Sequence, residues 1–148
     1  MSVKILALLI AAGSGLAMAL QGSLNAALGK VIGLLETTLV VHLTGLVLAA
    51  AVLFLFLPEG NRLGQFAQAP WYTYLGGALG VLIIYAVARS IPKVGVAPAT
   101  TAIILGQVLT ASVIDHFGLF GLERLPFTWH RIAGTLLIAA GAWLLLKK

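Results

Sequence analysis

Apolar residues run along this chain in five long stretches, separated by short segments that carry charges, prolines and glycines. The hydrocarbon core of a bilayer is about 30 Å thick, and about 20 apolar helical residues cross it. Residues 5–29 lie between Lys4 and Lys30. Residues 37–57 close at Pro58-Glu59-Gly60-Asn61, residues 71–88 precede Arg89, and residues 94–114 precede Asp115. The last stretch, 128–146, has a shorter apolar centre; it is extended back to Thr128 with Arg131 snorkelling to the interface, and it ends at Lys147-Lys148. Strict two-residue alternation, the mark of a membrane barrel, is absent. In lipid every backbone polar group needs an internal partner, so these spans are expected to be helices. The pattern predicts an all-α integral membrane protein, a five-transmembrane-helix bundle forming a single domain over residues 1–148.

The punctuation between stretches fits that count. Pro70 suits a helix start, and Trp71, Tyr72 and Tyr74 follow it as an interfacial aromatic cluster, with Phe54 and Phe56 expected at the same membrane face. Pro92 and Gly95 predict a tight turn between the third and fourth spans. Gly118, Gly121 and Pro126 break the chain between the fourth and fifth. Lys4 and the Ala17-Met18-Ala19 triplet resemble a signal peptide. That apolar run is too long for a signal and contains Gln21 and Asn25, so it is expected to be retained as the first span.

Composition narrows the class. Hydrophobic residues make up 61% of the 148, charged residues only 9%, and the mean hydropathy is +1.10. Soluble domains carry about a quarter charged residues, so a water-facing surface is excluded. The net charge of +5 comes from nine scattered Lys and Arg that form no run, which argues against a nucleic-acid partner. There are no cysteines, and His42, His116 and His130 lack metal-ligand spacing. No nucleophile elbow, phosphate-binding glycine loop or intramembrane carboxylate pair appears, so neither catalysis nor a cofactor nor a metal is expected. Five spans put the termini on opposite sides. Lys4, Arg62, Arg124 and Arg131 fall on the N-terminal side, against Lys30, Arg89, Lys93, Lys147 and Lys148 on the other. Four against five is almost no bias, which leaves open a single orientation or dual topology, with copies inserted both ways.

Small residues spaced by four allow helices in lipid to approach closely. Gly15, Ala19, Ser23 and Ala27 make one such ridge on the first span, and Gly134 and Gly141 lie two turns apart on the fifth. Polar residues at membrane depth are costly and are therefore site candidates. Gln21 and Asn25 stack one turn apart, in a stripe extended by Ser14 and Met18. Gln107 shares a face of the fourth span with Thr100 and Thr110. His42 is a candidate for substrate binding or proton carriage, or else a hydrogen-bonded structural histidine. Tyr85 and Arg89 stand one turn apart. Glu36 is either a coupling carboxylate or an interfacial charge near Lys30. Ser112, Asp115 and His116 form either a proton relay or a cap that anchors the following loop.

These residues resemble a known family. Gln21-Gly22-Ser23-Leu24-Asn25-Ala26-Ala27-Leu28-Gly29 is similar to the first-helix pattern of the YdcZ-type inner-membrane exporters, within the drug/metabolite transporter superfamily. Gly76-Gly77-Ala78-Leu79-Gly80 after Trp71 belongs to the same likeness. So do Gly106-Gln107, Ile114-Asp115-His116-Phe117-Gly118 and Arg131-Ile132-Ala133-Gly134. Separately, Gly134-x-x-Leu137-Ile138-x-x-Gly141 resembles the last-helix dimer motif of the small multidrug resistance family. That family's coupling glutamate, deep in its first helix, has no counterpart here, where the helix offers Gln21 and Asn25. The resemblance implies one half of a ten-helix inverted-repeat architecture in the bacterial inner membrane, completed by an inverted homodimer or by a related chain. It implies a small-molecule exporter working by alternating access. Gln21, Asn25 and Gln107 would line the site, with His42 beside them. The competing reading is a non-transporting assembly or regulatory subunit.

Overall fold

The structure, a computed structural model, describes residues 2–55 and 63–147. The described residues hold five long α-helices and no strand: α1 (Val3–Ile32), α2 (Leu34–Leu55), α3 (Leu75–Val94), α4 (Val96–Phe117) and α5 (Trp129–Leu146). All five are long and apolar enough to cross a membrane. The turn expected at Pro58-Glu59-Gly60-Asn61, together with Phe56, Leu57, Arg62 and Lys148, lies outside the described residues. The chain divides into two compact units, Met1–Lys93 and Val94–Lys148.

In the first unit, Ser2 caps α1 by accepting the Ile5 N–H at 3.4 Å. At 30 residues α1 rises about 45 Å, and it runs past Lys30, where the sequence placed its end. The expected linker before α2 shrinks to one residue. Gly33 has φ +97° and ψ 159°, a conformation that side-chain-bearing residues avoid, and its N–H closes α1 on the Gly29 carbonyl at 3.2 Å. Glu36, three residues on, folds its carboxylate back over Gly33. An acid there complements the positive end of α2. This position assigns Glu36 a local role at the turn between the helices.

Packing in this unit runs through small and hydroxyl residues. Gly22, Asn25 and Ala26 of α1, Thr37 and Thr38 of α2, and Ala88 and Ile91 of α3 are buried. Thr37 is completely enclosed (0% exposed). Its hydroxyl donates to the Gly33 carbonyl at 2.7 Å, and that of Thr38 to Leu34 at 2.8 Å. Each hydroxyl is thus satisfied by its own helix, as a lipid environment demands. Gly22 is where α1 meets α3: a Cβ there would lie 2.9 Å from Val87 Cγ1 and 3.1 Å from Ile91 Cδ1. At Gly29 it would lie 3.0 Å from Leu34 Cδ2.

Ahead of α3, 3₁₀ turns span Leu63–Gln68 and Trp71–Tyr74. Pro70 caps the second, and the Tyr74 hydroxyl donates to the Phe66 carbonyl, with the two rings 4.5 Å apart. The expected Pro92–Gly95 turn is corrected. Pro92 lies inside the last turns of α3. The break falls at Gly95 alone, whose φ of +92° and ψ of 163° repeat the conformation of Gly33.

In the second unit α4 and α5 pack against each other. Gly118, at φ +61°, ends α4 in the left-handed conformation. Thr128 caps α5 by accepting the Arg131 N–H.

Large apolar side chains are exposed along every helix, Leu16, Leu24, Leu46 and Leu144 among them. Water would not tolerate that surface; acyl chains would. Gly22→Leu is expected to force α1 from α3 and lower stability by about 1–3 kcal/mol. Gly15→Leu, with nothing within 4 Å of its Cβ position, should leave thermal unfolding in detergent unchanged.

Candidate functional site

The polar residues at membrane depth differ in how the chain treats them. Asn25 sits on the packed face of α1, one turn before Gly29, and is only 5% exposed. Among the described residues its carboxamide makes no hydrogen bond, although no fully enclosed side-chain nitrogen or oxygen is left unpartnered. Its polar atoms therefore reach a small opening within an otherwise closed contact. Gln21 and Gln107 lie on exposed faces of α1 and α4, also without a hydrogen-bond partner among the described residues. An amide left unpaired in an apolar medium costs several kcal/mol on the order of 4–8. Each of the three needs a partner from outside its own helix.

His42 is half-buried on α2 and has one partner in the chain. Its Nδ1 lies 2.8 Å from the Thr38 carbonyl. A carbonyl only accepts, so Nδ1 carries the proton, and in the neutral ring Nε2 presents a lone pair. That nitrogen faces α3 at Gly80, where a Cβ would approach it to 3.4 Å. The Thr38–His42 pairing is a contact that reading the sequence missed. Its one signal was the four-residue spacing.

At the end of α4 the geometry is that of a loop anchor. Asp115 pairs with Arg131 at 3.2 Å, so Arg131 is held by an acid. The Asp115 carbonyl accepts the Leu125 N–H at 2.8 Å. His116 Nδ1 accepts the Phe127 N–H at 3.1 Å, which places the neutral ring's proton on Nε2, and its ring stacks on Phe127 at 4.8 Å. Arg124 Nε donates to the His116 carbonyl. Ser112 bonds back to Val108 within α4. Asp115 and His116 thus both hold the segment between α4 and α5, whereas Ser112 bonds only within its own helix. Near the end of α3, Arg89 donates to the Tyr85 hydroxyl at 2.9 Å.

The glycines of the small-residue ridges meet no neighbour within their own units. Among the described residues of each unit no atom comes within 4 Å of a Cβ placed on Gly15, Gly134 or Gly141. Ala19 and Ser23 are half-exposed and Ala27 is exposed, and the Ser23 hydroxyl bonds back to Ala19. Beside the second unit's helix contact runs a groove of about 340 Å³, lined by residues that include Leu109, Thr110, Val113, Ile132 and Leu136. Among the described residues no three His, Asp or Glu gather as metal ligands.

Comparison with known proteins places this arrangement. A family described as "Putative inner membrane exporter, YdcZ" matches residues 6–144. "Inner membrane protein YdcZ" of Escherichia coli (strain K12) is 28% identical over 145 residues, which cover 97% of this chain and 95% of that protein. No solved structure matches.

The anchor at the end of α4 makes its own prediction. His116→Ala frees the Phe127 amide and one wall of the loop, so amide exchange over residues 119–127 should quicken while the centre of α4 exchanges as before. Unchanged loop exchange would remove the anchoring role.

Proposed function

The chain belongs to the YdcZ family of inner-membrane exporters, and we propose that it carries a small molecule across that membrane by alternating access, as a dimer of copies in opposite orientation. The observation that carries this reading is the buried Asn25 carboxamide, which has no hydrogen-bond partner among the described residues. With Gln21 and Gln107 it makes three amides that a lone copy leaves unmatched at membrane depth. A solute held by hydrogen bonds between two copies would match them, with His42 Nε2 as a further acceptor. No described carboxylate lies at mid-helix in the apolar spans, since Glu36 sits at the α1–α2 turn and Asp115 is paired near the end of α4. A neutral, zwitterionic or amphipathic solute suits such a site better than a permanent cation.

Two features support an inverted pair. The basic residues divide four against five between the two sides, so neither orientation is strongly favoured. Opposed copies of an odd-span unit also produce the inverted repeat on which many transporters are built. The Gly15–Ala27 ridge and the Gly134–Gly141 face supply close-approach surfaces that no residue of the same chain fills. A homodimer or a pairing with a related chain would each use them.

Asn25→Leu and Gln21→Leu should leave the protein folded. They should reduce flux in proteoliposomes, across a panel of cations, amines, amino acids and sugars, by about tenfold, equivalent to about 1.4 kcal/mol of solute binding. Wild-type silence on the whole panel would count against transport, and full flux in both variants would remove the carboxamides from the site. Gly134→Leu with Gly141→Leu should abolish the dimer in cross-linking while leaving the monomer's unfolding temperature unchanged. A persistent dimer would move the interface elsewhere.

A further inference from the structure

Three basic side chains converge at one end of the first unit. A groove of about 300 Å³ lies between the C-terminal turns of α1 and α3, with Lys30, Arg89 and Lys93 at its rim and Gly29, Leu34 and Pro92 among its walls. The local causes are visible in each helix. Lys30 lies in the last turn of α1, which continues to Gly33. Arg89 and Lys93 are four residues apart on α3, so they share a stripe. Gly29 has no side chain to fill the space, and Leu34, directly after the one-residue turn, forms an apolar wall.

Among the described residues these cations form no ion pair. Glu36 is the only carboxylate among the described residues of this unit; it is committed to the space over Gly33. The one ion pair among the described residues joins Asp115 to Arg131. Arg89 gives one N–H to the Tyr85 hydroxyl, leaving four of its five donors for other acceptors. Cations do stabilise helix C-termini, but three around one groove repel each other unless an anion sits among them. Val31 and Leu35, on either side of the turn, are 81% and 71% exposed, so the surface beside the groove is apolar.

We propose that this groove binds an anionic phospholipid, its phosphate held by Lys30, Arg89 and Lys93 and its glycerol and upper acyl segments lying on Leu34 and Pro92. A phosphate diester meets the cationic rim, and the apolar walls favour a lipid over a free anion. The site lies at helix ends, where headgroups lie. Ala26 and Gly29 bring the groove up to the face of α1 that carries Asn25, but anion binding at its cationic residues does not depend on transport.

The test uses delipidated full-length protein in neutral detergent. Native mass spectrometry and thermal unfolding are read with added phosphatidylglycerol, phosphatidylcholine or inorganic phosphate. Phosphatidylglycerol should be retained and should raise the unfolding temperature, with the effect fading as salt screens the charges. Phosphatidylcholine and inorganic phosphate should do neither. Lys30→Gln/Arg89→Gln/Lys93→Gln should weaken phosphatidylglycerol retention by on the order of 100-fold, whereas Lys4→Gln/Lys147→Gln should keep it. Should the triple variant fail to fold, Lys30→Gln alone and the wild-type salt series carry the test. Equal retention of phosphatidylcholine, saturation by inorganic phosphate, salt-independent retention, or full binding by the triple variant or by Lys30→Gln would each overturn the assignment.

Discussion

In hydrocarbon a polar group that has no partner has no water to turn to, and this constraint shapes the protein from backbone to assembly. It makes the spans helical. It also explains how the hydroxyl residues are used: Thr37, Thr38, Ser23, Ser90, Ser112 and Thr135 each donate to a carbonyl one turn back. These side chains therefore ask nothing of a neighbouring helix and can sit inside contacts, as Thr37 does. A carboxamide has more donors and acceptors than one backward bond absorbs. Asn25, Gln21 and Gln107 are thus the polar residues at depth that have no hydrogen-bond partner among the described residues.

The same division applies to glycine. Gly22 and Gly29 remove side chains where α1 meets its neighbours, and Gly33 takes a conformation that closes α1 and opens α2 within one residue. Gly15, Gly134 and Gly141 do no such work inside the chain. Small residues in membrane helices lower the cost of close approach, and an approach surface with nothing on it serves a second molecule best. The filled and unfilled glycines and the matched and unmatched amides are the features on which the proposed pairing with another chain rests.

Much of this was legible in the residues. Helix number and type follow from apolar length alone, whereas the capping of α5 by Thr128 emerges only in the structure. Helix ends were harder, because charge and proline were read as stops. Lys30 can extend toward water while the helix continues beneath it. Pro92 gives up the bond its amide would make one turn back, a loss that membrane helices absorb where neighbouring groups or local adjustment satisfy the freed carbonyl. Among the candidate site residues, the three carboxamides stand out in the sequence because polarity at depth is rare. The Asp115–His116 anchor was not decidable, because its partners, Arg131, Leu125 and Phe127, become neighbours only after the chain turns back. The cationic groove was scattered in the sequence for the same reason, although span parity already put Lys30, Arg89 and Lys93 on one side.

That gathering of charge bears on orientation. The four-to-five count treats every basic residue alike, as the positive-inside rule does. Of the five on the more basic side, three stand around one groove, whereas on the other side Arg131 is neutralised by Asp115 and Arg124 is drawn to the His116 carbonyl. Uncompensated charge is therefore more one-sided than the count. The cytoplasmic leaflet carries the negative surface potential, so a copy with its groove on that side gains an attraction that the opposite copy forgoes. An inverted pair would then consist of two unlike environments for one sequence. For the proposed inverted pair, the near-balance of total charge would permit both insertions, while a lipid-binding groove would make them energetically unequal, and anionic lipid content would then set their ratio.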